Sequence, residues 1–283
     1  GTYMVTATRS GAPNFFDTTV TKEIEVVKGN QAMFYFLNFD EYLYNPTNKS
    51  IPLKALGGSG DGYISYSLVS GNDAAVANDT LTYTNTGVYI VKASKTASAN
   101  FLLTEVSITL TVVKIMQPPL SLSNVLTFVY DPSQLAIILD GSGGASEIAN
   151  AITYSGIGQT NTVVGNVFSY TEAGTYQIQL AKQGNQNYYA RQDPFVITIE
   201  KRPHTLVKVT TNVYYQPDKK SDQLSDLIKS DAEEPIVIVY QAEGVDISHN
   251  EILYEEPGTT FTLHASHTGT RYTDEELFVT YTV

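Results

Sequence analysis

Four histidines, His204, His249, His264 and His267, are the side chains of this chain best suited to move protons near neutral pH or to ligate a transition metal. No serine lies in the Gly-x-Ser-x-Gly elbow that would present it as a nucleophile. His264-Ala265-Ser266-His267 brings two imidazoles within three residues, but on an alternating strand these face opposite sides and do not converge on one ion. The carboxylates Glu255-Glu256 and Asp274-Glu275-Glu276 have the chemistry of an acid/base pair or a calcium site, and the simpler reading is solvated acidic edges. Gly57-Gly58-Ser59-Gly60-Asp61-Gly62 and Gly141-Ser142-Gly143-Gly144 fit neither Gly-x-Gly-x-x-Gly nor a P-loop, so they are expected to be flexible loops and not phosphate cradles. The expectation is therefore no catalytic, cofactor-binding or metal-ligating residue, and no assigned binding residue.

The elements that would position such groups are strands. The 283 residues are 42% hydrophobic and 16% charged, with 20 Tyr and no Trp, a composition suited to pleated, half-buried surfaces. Cysteine is absent, which excludes disulfides, thiol chemistry and thiolate metal sites. The net charge of −12 repels phosphate backbones and argues against nucleic acid as a partner. Residues 1–201 hold 11 basic against 15 acidic side chains, net −4, and residues 202–283 hold 6 against 14, net −8. No run approaches the ~20 apolar residues of a membrane span. Gly1 follows no Met, basic n-region or apolar h-region, so the chain is expected to be a mature or excised piece.

Self-similarity organises the rest. Gly1-Thr2-Tyr3-Met4-Val5 returns as Gly87-Val88-Tyr89-Ile90-Val91, as Gly174-Thr175-Tyr176-Gln177-Ile178 and more loosely as Gly258-Thr259-Thr260-Phe261, in steps of 86, 87 and 84. Fourteen residues past each glycine stands an aromatic, Phe15, Phe101, Tyr188 or Tyr272, expected to plug the core as the chain turns back. A second marker precedes the later glycines: Tyr44-Asn45-Pro46, Tyr130-Asp131-Pro132 and Tyr215-Gln216-Pro217. Pro ends a strand and turns the chain. A third marker is a closing strand of period-2 alternation, such as Val106/Ile108/Leu110/Val112.

The glycine is expected to serve a turn with φ > 0, and the tyrosine two residues on, Tyr89 or Tyr176, to be largely buried. Short strands with turn signals every 8–12 residues predict an all-β chain of tandem immunoglobulin-like antiparallel β-sandwich repeats of about 86 residues. The repeats are 1–28 (the C-terminal strands of an incomplete copy), 29–114, 115–201 and 202–283, the last acidic. Only 221–229, Ser221 to Lys229, has helical character, as a short surface turn of helix.

The Tyr-x-Pro opening, the Gly-Thr-Tyr strand, the Asn-Tyr or Asn-Phe a dozen residues on and the final Thr-Ile-x-Val strand together resemble the immunoglobulin-like repeats of large bacterial surface proteins, in particular the MBG type. The likeness spans essentially the whole chain, is best in 115–201 and is weakest in 202–283. It implies an extracellular, non-catalytic structural or adhesive protein whose repeats act as spacer or shaft. It carries no catalytic residues and no cofactor. Two other classes remain: a self-assembling filament or S-layer subunit that exchanges strands through 1–28, and a carbohydrate- or protein-binding module with exposed Tyr as stacking platforms. Partners are then other copies or neighbouring repeats of a longer chain, or a surface protein or glycan ligand.

The junctions Lys28-Gly29-Asn30, Lys114-Ile115-Met116-Gln117-Pro118-Pro119 and Lys201-Arg202-Pro203-His204 are basic or neutral, unlike calcium-bridged ones, and their prolines predict limited freedom. Asn48-Lys49-Ser50 and Asn78-Asp79-Thr80 match the glycosylation triplet and point weakly to exposed loops. Lys22 lies at an apolar phase where isopeptide-crosslinked sandwiches carry a lysine, yet its counterparts Ile108, Ile197 and Val279 are aliphatic, so no general crosslink follows.

Overall fold

The structure is a computed structural model and describes residues 1–283 except 159–162, 216, 218–220 and 255; Gln216 and Glu255 of the sequence analysis lie outside the described residues. By contact the chain divides into two compact units, Gly1–Met116 with Gly184–Tyr189, and Gln117–Gln183 with Ala190–Val283.

In the first unit the alternating segments pair as their period demands. Glycine strand Gly87–Lys95 is antiparallel to closing strand Thr104–Val113 on one edge and to Ile64–Ser70 on the other, and Glu41–Leu43 adds in parallel beyond the closing strand. The facing layer is made of Phe34–Phe36 with Ala55–Gly57, and of Ser50–Pro52, Thr80–Tyr83 and Ala74–Ala77. Leu81, Tyr89, Val91, Ala93 and Leu110 fill the space between the layers. Residues 1–28 form only the hairpin Thr2–Arg9/Thr18–Glu25, exposed along both strands, and Lys22 is exposed with them.

The second unit repeats this plan twice. Gly174–Lys182 lies between Arg191–Glu200 and Thr153–Gly156, with Thr127–Val129 parallel to the closing strand. Thr260–His267 lies between Glu275–Thr282 and Val239–Glu243. Each sandwich has its own core, around Phe168, Ile178, Leu180 and Ile197 in one and Ile252, Phe261, Leu263 and Tyr281 in the other. This is the tandem immunoglobulin-like β-sandwich fold that the alternation predicts.

Three expectations are corrected. The helical stretch at 221–229 is one turn, Leu224–Leu227, between short strands, and its Leu224 and Leu227 are buried in the core and not on the surface, because two leucines three apart lie on one face of the turn. The glycine of the repeat marker has the expected positive φ at Gly174 (157°) and Gly258 (85°) but not at Gly87. What Gly87 provides is room, since a Cβ there would stand 3.3 Å from the Tyr89 hydroxyl folded back over it. That hydroxyl donates to the Asn85 carbonyl at 2.5 Å, and Tyr176 donates to the Glu172 carbonyl at 2.7 Å, the tyrosine corner of immunoglobulin-like sandwiches. Tyr89 is buried as expected, whereas Tyr176 is only half-buried.

Of the glycine runs, 58–62 is a loop as expected, whereas Gly141–Gly143 is a strand. Gly57 and Gly143 end strands. Gly58 (φ 72°) and Gly144 (φ 71°) lie where a Cβ would come within 2.7 Å of Lys95 and 2.6 Å of Lys182, so glycine is needed for backbone and space alike.

Candidate functional site: the hairpin tip and the sandwich end it covers

The tip of the long hairpin is tied to the first residues of its repeat in the same way three times. In the first unit, Gly29 donates to the Asn100 carbonyl and accepts from Leu102, both at 2.9 Å, while Ile115 donates to the Asn187 carbonyl (3.2 Å) and accepts from Tyr189 (3.0 Å). In the second unit, Arg202 donates to the Arg271 carbonyl (2.8 Å) and accepts from Thr273 (3.0 Å). Each junction residue is thus clasped by the residues on either side of the tip aromatic Phe101, Tyr188 or Tyr272.

Tyr188 meets Tyr44 edge-on, ring centroids 5.6 Å apart, and Tyr272 meets Tyr130 edge-on at 6.0 Å. Both tip rings are almost wholly buried, at 4% and 2% exposure. The expectation that this aromatic plugs its own sandwich is therefore corrected: it covers the Tyr-x-Pro end of the preceding one, because the hairpin strands run past their own core. Phe15, at the tip of the 1–28 hairpin, is 78% exposed.

The Tyr-x-Pro marker shapes the receiving end. Tyr44 and Tyr130 are buried, and the residue after each closes the turn: Asn45 Oδ1 accepts from the Thr47 and Asn48 amides, both at 3.0 Å, and Asp131 Oδ1 from the Ser133 amide at 2.9 Å. The tip loop then bonds to the loop before the glycine strand. Thr86 donates from its amide to Asn187 Oδ1 (2.8 Å) and from its hydroxyl to the Gln186 carbonyl (2.5 Å), and in the second unit Ala173 donates to the Thr270 carbonyl (3.2 Å).

Beneath each clasp lies a polar pair, half-buried at Gln31 and buried at Lys95, Gln117, Lys182, His204 and His267, whose pairing the sequence analysis did not single out. Gln31 Nε2 donates to the Leu102 carbonyl (2.7 Å) while Lys95 Nζ donates to the Gly57 carbonyl (3.2 Å). Gln117 Nε2 donates to the Gln183 carbonyl (3.0 Å), and Lys182 Nζ to the carbonyls of Ala145 (3.1 Å) and Gly143 (3.3 Å). In the last repeat the same positions hold His204 and His267, rings 5.0 Å apart. The signal was available, since 31, 117 and 204, and 95, 182 and 267, keep the repeat period.

His264 and His267 do face opposite sides of Thr260–His267, so the two do not converge. His204 and His267 do, but their nitrogens have structural duties. His204 Nε2 donates to the Thr273 carbonyl (2.9 Å) and Nδ1 meets the Ser230 hydroxyl (3.0 Å), while His267 Nδ1 donates to the Val237 carbonyl (2.8 Å). His267 Nε2 is buried without a hydrogen-bond partner, packed where Gly269 leaves space. His249 is at a turn with φ 55° and bonds Ser248 (2.8 Å). Among the described residues no group of three or more His, Asp or Glu is placed to hold a metal ion.

Of the carboxylates that the sequence analysis names, Glu256, Asp274 and Glu276 are exposed, and several acidic residues of the last repeat are paired. Asp274 pairs with Lys201 at 2.8 Å, which with its hydrogen bond holds the carboxyl below the usual range. Glu233 pairs with Arg202, and Glu234 accepts from Arg271 (3.3 Å) and from the Tyr130 hydroxyl (3.0 Å). Burial first, and Glu234 second, push the Tyr130 phenol up to about 12. Glu276 lies 3.9 Å from His264, and Glu256 is exposed. The triplet asparagines Asn48 and Asn78 are both exposed.

Fold and joints together define a chain of tandem immunoglobulin-like β-sandwiches. No protein-family model and no curated protein sequence matches it. Among solved structures it is similar to Drosophila N-cadherin EC1-3, at 12% identity and TM-score 0.34, over 92% of this chain and 99% of that one. It is also similar to the protocadherin GammaB4 extracellular domain, at 12% identity and TM-score 0.29, over 99% of this chain and 55% of that one. A third is the surface layer protein SbsC, domains 4-9, at 11% identity and TM-score 0.30, over 100% of this chain and 54% of that one. The chain spans about half the length of the last two, and at these scores the likenesses carry no argument about function.

Proposed function

We propose that this chain is a non-catalytic structural or adhesive segment of an extracellular surface protein, its repeats of the MBG-like class, acting as a spacer or shaft. The observation that carries this reading is the recurring joint: two backbone hydrogen bonds hold each hairpin tip to the first residues of its own repeat, and the tip aromatics Tyr188 and Tyr272 are buried against the tyrosine that opens the turn of the preceding one. Chemistry of that kind stiffens a tandem array and has no use in turnover. Pro118-Pro119 and Pro203 at the later two junctions add to it, because Pro-containing linkers are semi-rigid. The MBG assignment rests on the three sequence markers. Small-angle scattering of the isolated protein tests the reading: an elongated particle of constant cross-section is expected, and a compact globule would remove the shaft.

A second reading, assembly by strand exchange, is favoured by the exposed Tyr3, Val5, Phe15, Ile24 and Val26 of the 1–28 hairpin, which has neither of the flanking strands that its counterpart Gly87–Lys95/Thr104–Val113 has. Lone hairpins are marginal in water. Deleting 1–28 and comparing melting temperature and assembly state tests it. If the parent is a strict monomer and the deletion changes neither quantity, strand exchange is wrong.

A further inference from the structure

We propose that residues 231–236 form an electrostatic strap across the joint between the third and fourth repeats, closed by Glu233 and Glu234 and loosened as ionic strength rises. Every residue of the strap and of its contacts lies in the second compact unit, and the strap arises in the fourth repeat. Glu234 Oε2 accepts at once from the Tyr130 hydroxyl of the third repeat (3.0 Å) and from Arg271 Nη1 of the fourth (3.3 Å). The Arg271 guanidinium also lies 5.8 Å from the centre of the Tyr130 ring. The Glu234 amide donates to the Tyr272 hydroxyl (3.3 Å), tying the strap to the tip aromatic itself. Arg202 reaches in two directions, to strap residue Glu233 and to Asp131 of the third repeat at 3.8 Å. Lys201 and Asp274 close the outer side at 2.8 Å.

At the Tyr44/Tyr188 contact of the first unit the bonds from tip to sandwich end include neutral ones from Asn85, Thr86, Gln186 and Asn187 and one from a cation, Lys114 Nζ to the Asn185 carbonyl at 2.9 Å. The charged ends remain within reach of salt, with side-chain exposures of 31% for Arg202, 44% for Arg271 and 54% for Glu233. Going from about 0.01 M to about 1 M salt shortens the screening length from about 30 Å to about 3 Å, enough to weaken a network of such pairs. The Tyr130/Tyr272 packing and the backbone clasp are uncharged and stay. Salt therefore widens the range of joint angles without separating the repeats.

The absence of cysteine makes the test clean. Nitroxide labels at Ser169→Cys in the third repeat and Thr280→Cys in the fourth, both exposed positions, report the inter-repeat distance distribution by pulsed electron resonance. A Thr153→Cys/Ser169→Cys pair within the third repeat is the internal reference. The expected result is a broadening of the first distribution by about twofold between those salt limits and none in the reference. Glu233→Gln/Glu234→Gln, which keeps an acceptor for Tyr130 but removes both charges, should be as broad at low salt as the parent at high salt and respond no further. Circular dichroism checks that the variant is folded. A parent distribution indifferent to salt, or a folded charge-free variant as narrow as the parent, overturns the strap.

Discussion

Tyr272 stands edge-on against Tyr130, ring planes at 69°, although one belongs to a hairpin tip and the other to the turn that opens the preceding repeat. Strand length explains the meeting. Thr260–His267 spans roughly 26 Å at a rise of about 3.3 Å per residue, enough to carry the tip past its own core. The tip aromatic therefore acts on two sandwiches, its chain origin in one and its burial in the other.

Replacing it should betray that division. Tyr272→Ala is expected to cost about 3–5 kcal/mol, the usual range for a buried large aromatic. The loss should appear as faster amide exchange at 127–130 and 168–170 of the third repeat, besides the tip's own residues. Tyr272→Phe, which keeps the ring and gives up the bond from Glu234, should cost about 0.5–1.5 kcal/mol. Exchange confined to the fourth repeat in Tyr272→Ala would show that the ring does not support its neighbour.

The two corner tyrosines should separate. Tyr89 is 2% exposed and Tyr176 is half-buried, so Tyr89→Ala should cost about 3–5 kcal/mol and Tyr176→Ala clearly less. The phenylalanine versions lose only the bond back to the backbone and should each cost about 0.5–1.5 kcal/mol. Urea melts of the four variants decide it, and equal costs for the two alanine changes would contradict the burial difference.

How much of this was legible in sequence follows from which forces are local. Alternation such as Ile108/Leu110/Val112 fixes which face is buried, so the sandwich class and its period are readable. The destination of Tyr188 is not, because its spacing from Gly174 is the same whether the ring fills its own core or the next one. The pair His204 and His267 was readable in principle, since both keep the repeat offset of Gln31/Gln117 and Lys95/Lys182, but residues of such different chemistry do not look alike. Leu224 and Leu227 were placed on the surface because a polar surround, Asp222, Ser225 and Asp226, hides two buried leucines. The glycines at 58 and 144 looked like loop residues because their constraint comes from lysines 37 and 38 residues downstream.

Those glycines should be intolerant of a methyl group. Gly58→Ala and Gly144→Ala combine positive φ with a Cβ inside contact distance of Lys95 or Lys182, and each should destabilise by more than about 1 kcal/mol. Gly158→Ala and Gly165→Ala share the positive φ but meet nothing within 4 Å, and should cost less. Thermal melts of the four proteins make the comparison. If all four shift alike, backbone strain alone matters and the lysine packing does not.

Metal removal is expected to leave the protein unchanged. The junction carboxylate Asp274 is engaged by Lys201, and Asp131 is held below its usual range by its bonds from Ser133 and by Arg202. A melting temperature that falls on adding EDTA would reveal calcium at a joint.

Alkali should attack the second unit through its buried phenols. Burial raises Tyr130, Tyr254 and Tyr281 to about 12, with Glu234 and Asp222 adding to the first two, against about 10 for a free phenol. A group whose folded value is raised contributes fully below its unfolded value and loses that contribution as pH climbs to the folded one. Stability should thus be flat up to about pH 10 and fall between about 10 and 12. Tyr281 is the sharpest case, since its hydroxyl donates to the Leu227 carbonyl at 3.0 Å inside the core and has no route to water as a phenolate. Phenolate absorbance and far-ultraviolet circular dichroism, followed together in a base titration, check the claim. A subset of the 20 tyrosines should ionise only as the β signal is lost. If all of them ionise near 10 while the β signal persists, these phenols are not buried as described, and the core of the fourth repeat is wrong at Tyr281.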